Sequence, residues 1–178
     1  YIGKFAGSRI PVLSFRHLDR RPSPEELLYL GAEMATSGCV AMYHIVGVTP
    51  EAPTTTAALR GKAPEFTLPV LPKHLAEQEE EISEKGGKIN LVMLGCPHYT
   101  YDQLRELASL LENRVVHKDV AFWVLTSFDA IELARRSGHL EMIEKSGCRL
   151  VPDTCIDEPC WKSFEGGLGV TDSPKCMY

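Results

Sequence analysis

No stretch of this chain stays apolar for the roughly 18–20 residues that a membrane-crossing helix needs. Nor does it open with a basic segment running into an apolar one, the pattern of a secretory signal. The expectation is a cytoplasmic protein with no membrane partner. There is no stripe of basic residues with interleaved aromatics, and the formal net charge is −5, so nucleic acid is not the expected partner either. No internal repeat with a period of about 20–50 residues is evident. The six cysteines contain no CxxC pair, and in a reducing compartment they are expected to include metal or catalytic ligands in preference to a disulfide framework. An initiator methionine is missing as well: the chain starts at Tyr1 and stops just after Cys176, which reads as an excised piece of a longer protein.

What is present is a globular composition, 44% hydrophobic and 24% charged over 178 residues, enough for one α/β domain spanning 1–178. Apolar runs predict strands near 10–15, 40–46, 89–94, 121–126 and 148–151. Helices alternate with them. Ser23-Pro24-Glu25-Glu26 carries a serine cap, a proline at the first helical position and a glutamate that closes a capping box. Thr100 with Gln103, and Ser127, mark two further helix starts, and Gly138 and Gly147 bracket a short one. The acidic run 77–81 lies on a helix expected over 73–85 and reads as a solvated face. Strands alternating with helices imply right-handed crossovers, hence a mainly parallel sheet with helices on both faces, a three-layer α/β/α arrangement. His44, Cys96, His98, Ser127 and Cys155 would then share the carboxyl edge of one sheet, where ligands of open α/β sheets gather.

Cys96 follows the 89–94 strand and precedes Pro97 beside a helix amino terminus, a setting that favours the thiolate. Cys155 occupies a similar strand-end loop. Cys176 has no such placement of its own; it lies in the loop-rich tail 156–178, which is expected to fold back and complete the site. Three thiolates can hold an iron ion or an iron–sulfur cluster and leave one coordination position for substrate. Cys160 competes for the third position, and Cys96, His98, Cys155 and Cys160 would also satisfy tetrahedral zinc. Spacing leaves iron and zinc both open. Cys39 and Cys148 enter strands at the opposite edge and read as core residues. His44 ends a strand, and Glu51 in the loop after it is a general base, a cation ligand or a turn cap. Gly166-Gly167-Leu168-Gly169 lacks the strand before and helix after that a phosphate cradle needs.

Taken together, the segments His44-Ile45-Val46-Gly47-Val48-Thr49-Pro50-Glu51-Ala52, Leu94-Gly95-Cys96-Pro97-His98, Val151-Pro152-Asp153-Thr154-Cys155 and Thr171-Asp172-Ser173-Pro174-Lys175-Cys176 resemble the aconitase X family. The resemblance implies an aconitase-like domain from the large subunit of a hydro-lyase. Carried over position by position, it places the iron ligands on Cys96, Cys155 and Cys176. It also implies a partner, a small swivelling subunit or domain that supplies a catalytic serine. His98, His44 and Glu51 become the catalytic candidates within this chain, and Lys175, Ser173 and Thr49 the substrate-binding ones. The implied substrate is a small hydroxy acid. For want of a phosphate cradle cis-3-hydroxy-L-proline is preferred, with phosphomevalonate as the alternative. A non-catalytic metal or redox module is the remaining reading.

Overall fold

The computed structural model describes residues 1–156 and 158–177. The side chains of Pro159, Cys160 and Trp161 fall outside that description, and with them the competing claim of Cys160 to a ligand position. The chain divides into two compact units, residues 1–84 and 85–177, in place of the single domain expected over 1–178.

The first unit contains α1 (Ile2–Ala6), β1 (Val12–Leu13), α2 (Pro24–Gly38), β2 (His44–Ile45), α3 (Thr55–Ala58) and α4 (Pro72–Ile82). The first two helices pack around Ala6, Met34 and Val40. They approach so closely that a Cβ on Gly38 would lie 1.8 Å from the Gly3 carbonyl oxygen. The two short strands pair in parallel, Val12 with His44 and Leu13 with Ile45. This corrects the expectation that the 40–46 segment belongs to the main sheet beside Cys96. The strand stops at once because Val48 and Thr49 both donate their N–H to the Ile45 carbonyl, and Gly47 turns at φ 75° to donate to Ala52. Cys39, expected in the core, is instead exposed; it ends α2 in the left-handed conformation at φ 59°.

Both halves of the capping box form at α2. Ser23 Oγ accepts from Glu26 N–H at 3.2 Å, and the Glu26 carboxylate accepts from Ser23 N–H at 2.8 Å. Hydrogen bonds from the Arg20 guanidinium, then that of the Ser23 backbone, hold the Glu26 carboxyl down to about 2 from its ordinary 4.5. A carboxyl whose folded value is depressed stabilises the fold fully above its unfolded value and ceases to do so as pH falls through the folded one. Glu26 therefore contributes in full above about pH 4.5 and loses that contribution between there and about pH 2. A carboxyl-carbon NMR titration with a midpoint near 4.5 would show that the Arg20 contact does not persist in solution.

The second unit contains β3 (Ile89–Tyr99), α5 (Tyr101–Leu111), β4 (Ala121–Thr126), α6 (Phe128–Arg136), α7 (His139–Lys145), β5 (Cys148–Pro152), a 3-10 turn (Pro159–Phe164), β6 (Leu168–Val170) and α8 (Pro174–Met177). Its sheet is wholly parallel, in the order β5-β4-β3-β6. The chain steps from β3 to β4 to β5 in one direction, so right-handed crossovers put α5, α6 and α7 on one face. There Leu104, Ala108, Ile131, Ala134 and Ile143 bury Val124, Cys148 and Leu150. The return from β5 to β6 runs the opposite way, so its crossover falls on the other face. Phe164 of the 3-10 turn covers that face with Ile156, packing on Leu91, Met93, Leu125 and Trp123. Helices were expected on both faces; in this unit the second face carries a 3-10 turn. The reversal also makes a strand from part of the tail expected to be loop. Among the described residues no helix is long and apolar enough to cross a membrane.

Candidate metal centre

The Cys96 segment is an irregularity built into β3. Leu94 pairs with Val124, but the next pair is Tyr99 with Thr126, five steps along β3 against two along β4. The extra residues bulge out of the ladder and include Cys96, Pro97 and His98, with a cis peptide between Cys96 and Pro97. Such bulges re-aim side chains at sheet rims. The bulge begins at Gly95, which is buried and turned to φ 94°. It closes where Thr126 Oγ1 donates to the Tyr99 carbonyl at 2.6 Å.

Because the strands are parallel, β3, β5 and β6 end at the same edge, and Cys96, Cys155 and Cys176 all lie there. β6 lies directly beside β3, with Val92 opposite Val170. Thr171–Met177 therefore emerges next to the bulge. Cys176 on α8 is hydrogen-bonded to Cys96 and to Ser173 and Thr171. Burial pushes the Cys176 thiol up to about 11; the Ser173 and Thr171 hydrogen bonds pull it down, and the neighbouring Cys96 pushes it further up. Ser173 is fully buried beneath this turn.

Cys155 is exposed, on the loop after β5. That loop is held at two points. Asp153, at φ 48°, donates its N–H to Thr126 O at 2.9 Å, and its Oδ1 accepts from Phe128 N–H at the start of α6. His98 then reaches from the bulge to the Thr154 carbonyl at 2.6 Å. A carbonyl only accepts, so His98 Nε2 carries the proton and Nδ1 is the ring's remaining acceptor. Among the described residues no three His, Cys, Asp or Glu side chains already converge as a metal-holding group. Cys96 and Cys176 meet, and Cys155 stands on a neighbouring loop tied to the same bulge.

Sequence reasoning assigned no role to Asp172 or to Tyr99. Asp172 accepts from Tyr99 Oη–H at 2.7 Å and from Gly95 N–H at 3.4 Å. The available signal was the small apolar triplet Leu168-Gly169-Val170, which makes β6 and brings Asp172 to the edge. Lys175, half-buried on α8, is adjacent to Cys176 in the chain.

In the first unit, Thr49 Oγ1 accepts from Ile45 N–H and donates to the Ile45 carbonyl, so its hydroxyl holds the turn. Glu51 is exposed on that turn. His44 lines a cavity of about 810 Å3 together with Arg9, Arg60 and Lys62. Its buried Nδ1 has no hydrogen-bond partner among the described residues.

Residues 1–80 match the model of the aconitase X second domain, and residues 89–178 that of the aconitase X third domain. Over 144 residues the chain is 39% identical to a cis-3-hydroxy-L-proline dehydratase of Pseudomonas aeruginosa, covering 79% of this chain and 25% of that protein. It is 37% identical over 154 residues to a phosphomevalonate dehydratase large subunit of Methanosarcina mazei, covering 86% of this chain and 35% of the relative. The crystal structure of Thermococcus kodakaraensis aconitase X in its holo-form superposes on 99% of this chain and 43% of its own, with a TM-score of 0.82 and 26% identity.

Proposed function

Because this chain belongs to the aconitase X family, we propose that it forms part of a hydro-lyase whose iron or iron–sulfur centre is held by Cys96, Cys155 and Cys176. The Cys96–Cys176 contact carries this reading: two thiols 80 residues apart in sequence meet at the carboxyl edge of a parallel sheet, between strands where the direction of winding reverses. Thiolates are the soft donors such a centre takes, and the loop that His98 ties to the bulge supplies the third. The chain spans 25% and 35% of the two relatives' lengths, so the activity belongs to a larger whole.

The reaction is the β-elimination of water. The electron pair of a C–H bond becomes the new C=C bond, the neighbouring C–O bond breaks, and the departing hydroxide leaves as water. Iron, when bound, supplies the Lewis acidity that makes hydroxide an adequate leaving group. His98, with Nε2–H committed to Thr154, holds the Cys155 loop and has Nδ1 left for orienting a proton. Lys175 pairs with the substrate carboxylate. Ser173 and Thr49, the other substrate-binding candidates, also frame Cys176 and the turn after β2. His44 and Glu51 remain the acid–base candidates of the first unit, and the unpartnered His44 Nδ1 supports a role there. Proton abstraction itself falls to the serine of a small subunit or domain, in keeping with the large-subunit name of the Methanosarcina relative. These 178 residues alone should therefore bind metal and turn over little.

The substrate we favour is cis-3-hydroxy-L-proline, since the Gly166–Gly169 segment serves as the run into β6 and packs Gly167 on Asn90. Anaerobically purified full-length protein, with any small subunit, should contain iron, absorb in the visible and dehydrate cis-3-hydroxy-L-proline in preference to phosphomevalonate. Stoichiometric zinc, or no metal with full turnover, would refute the centre; the reverse preference would exchange the substrates.

A further inference from the structure

We propose that Asp172 is a positioning residue for the cysteine site, a clasp that sets the separation of Cys96 and Cys176. The inference rests on the reading that these two cysteines act together. The ladder between β3 and β6 ends at Val92 opposite Val170. Beyond it, β3 still presents the N–H of buried Gly95 on that side, and a backbone donor left there without an acceptor is costly. Asp172, two residues past the end of β6, takes the place of the missing strand: Oδ1 accepts from Gly95 N–H at 3.4 Å and Oδ2 from Tyr99 Oη–H at 2.7 Å.

Those anchors bracket the bulge, so Cys96 is held between them. On the other side, Asp172 lies four residues before Cys176, and the interval is a closed turn. Ser173 N–H donates to Thr171 Oγ1 at 3.1 Å, and Cys176 N–H donates to the Ser173 carbonyl at 3.0 Å. A ring of short contacts thus runs from Cys96 through Gly95, Asp172 and Ser173 to Cys176 and back across the thiol–thiol contact. A carboxylate suits the post because it accepts two hydrogen bonds from different directions at once.

The test uses the full-length protein, with any small subunit, freed of metal by a chelator under reducing conditions. It is equilibrated against mixtures of reduced and oxidised glutathione. One glutathione disulfide oxidises the Cys96 and Cys176 thiols to a protein disulfide and is itself reduced to two glutathione molecules, which take up the two protons. Mass spectrometry of alkylated peptides gives the effective concentration of one thiol at the other. Asp172→Ala should lower it about tenfold or more, as for a reacting pair that loses its orientation. Tyr99→Phe should lower it less, and Asp172→Asn, which keeps a carbonyl acceptor, should recover part of the loss. Iron retained by the untreated proteins should fall in the same order, with thermal midpoints within about 2 °C of wild type.

An unchanged thiol equilibrium in folded Asp172→Ala overturns the proposal. Should that variant fail to fold, wild-type behaviour in Tyr99→Phe overturns it equally. The thiol measurement needs no metal, so iron-free wild-type protein would sink the metal reading while the clasp is still judged by its own readout.

Discussion

Alanine at Cys96, Cys155 or Cys176 is expected to strip the anaerobically purified full-length protein of most of its iron and of its visible absorption. Loss of an outer partner of a metal ligand already lowers affinity by about 10–100-fold, and removal of a ligand itself should exceed that range. The effects should be unequal in the apo protein. Cys155 is exposed, so its replacement should leave stability almost untouched while the metal is lost. Cys176 is packed with Ser173 and Cys96, so its alanine variant should also lose some packing. Two other cysteines are the controls. Cys148 is buried in the sheet core, where desolvation pushes its thiol up to about 12, and Cys39 ends a helix in the other unit. Alanine at either should leave iron content nearly unchanged and cost at most about 1 kcal/mol, the usual size for a point substitution. Iron that survives in Cys176→Ala and disappears in Cys160→Ala would reassign the third ligand.

Gly95→Ala is expected to destabilise the second unit by about 3–5 kcal/mol, combining left-handed backbone strain with overpacking. A Cβ at Gly95 would lie 2.1 Å from the Leu125 carbonyl oxygen and 2.9 Å from the Leu125 nitrogen and carbonyl carbon, all backbone atoms of the central strand β4. None can rotate away as a side chain would. Gly86→Ala is the matched control. Gly86 also has positive φ, at 81°, but nothing lies within 4 Å of a Cβ there, so only the strain of about 1–2 kcal/mol remains. Urea unfolding monitored at Trp123, which sits in the sheet, compares the two. Equal midpoints would mean that the bulge relaxes away from β4. The separation of Cys96 from the ladder would then not be a rigid feature of the fold.

Much of the second unit was legible because its signals are local. Thr100 and Ser127 cap helices where their side chains meet the next turn's N–H groups, just as the capping box of α2 formed in the first unit. The strand over 121–126 emerged with those bounds, within the largely apolar stretch between Asp119 and Ser127 that suits a buried parallel strand. Reading failed where neighbours in sequence do not decide. The 40–46 run is apolar enough for a strand, but the hydrogen bonds of Val48 and Thr49 to Ile45 close a turn and leave two residues to pair with β1. The triplet 168–170 is too short and too glycine-rich to announce itself, and becomes a strand only because β3 offers it an open edge.

By itself, then, the sequence determined which residues start and stop α5, α6 and α7, which apolar runs become β3, β4 and β5, and that Cys96 and Cys155 lie toward the carboxyl ends of two of them. These are matters of side chains a few residues apart: caps, periodicity and turn glycines. Only the tertiary structure decided that β6 lies beside β3, that Cys176 therefore meets Cys96, that Asp172 joins the two segments, and that His44 belongs to a separate sheet. Those outcomes depend on which open strand edge and which apolar face remain after the local elements have formed, and partners some 75 residues apart are chosen by backbone hydrogen bonding and burial that no short window of sequence contains.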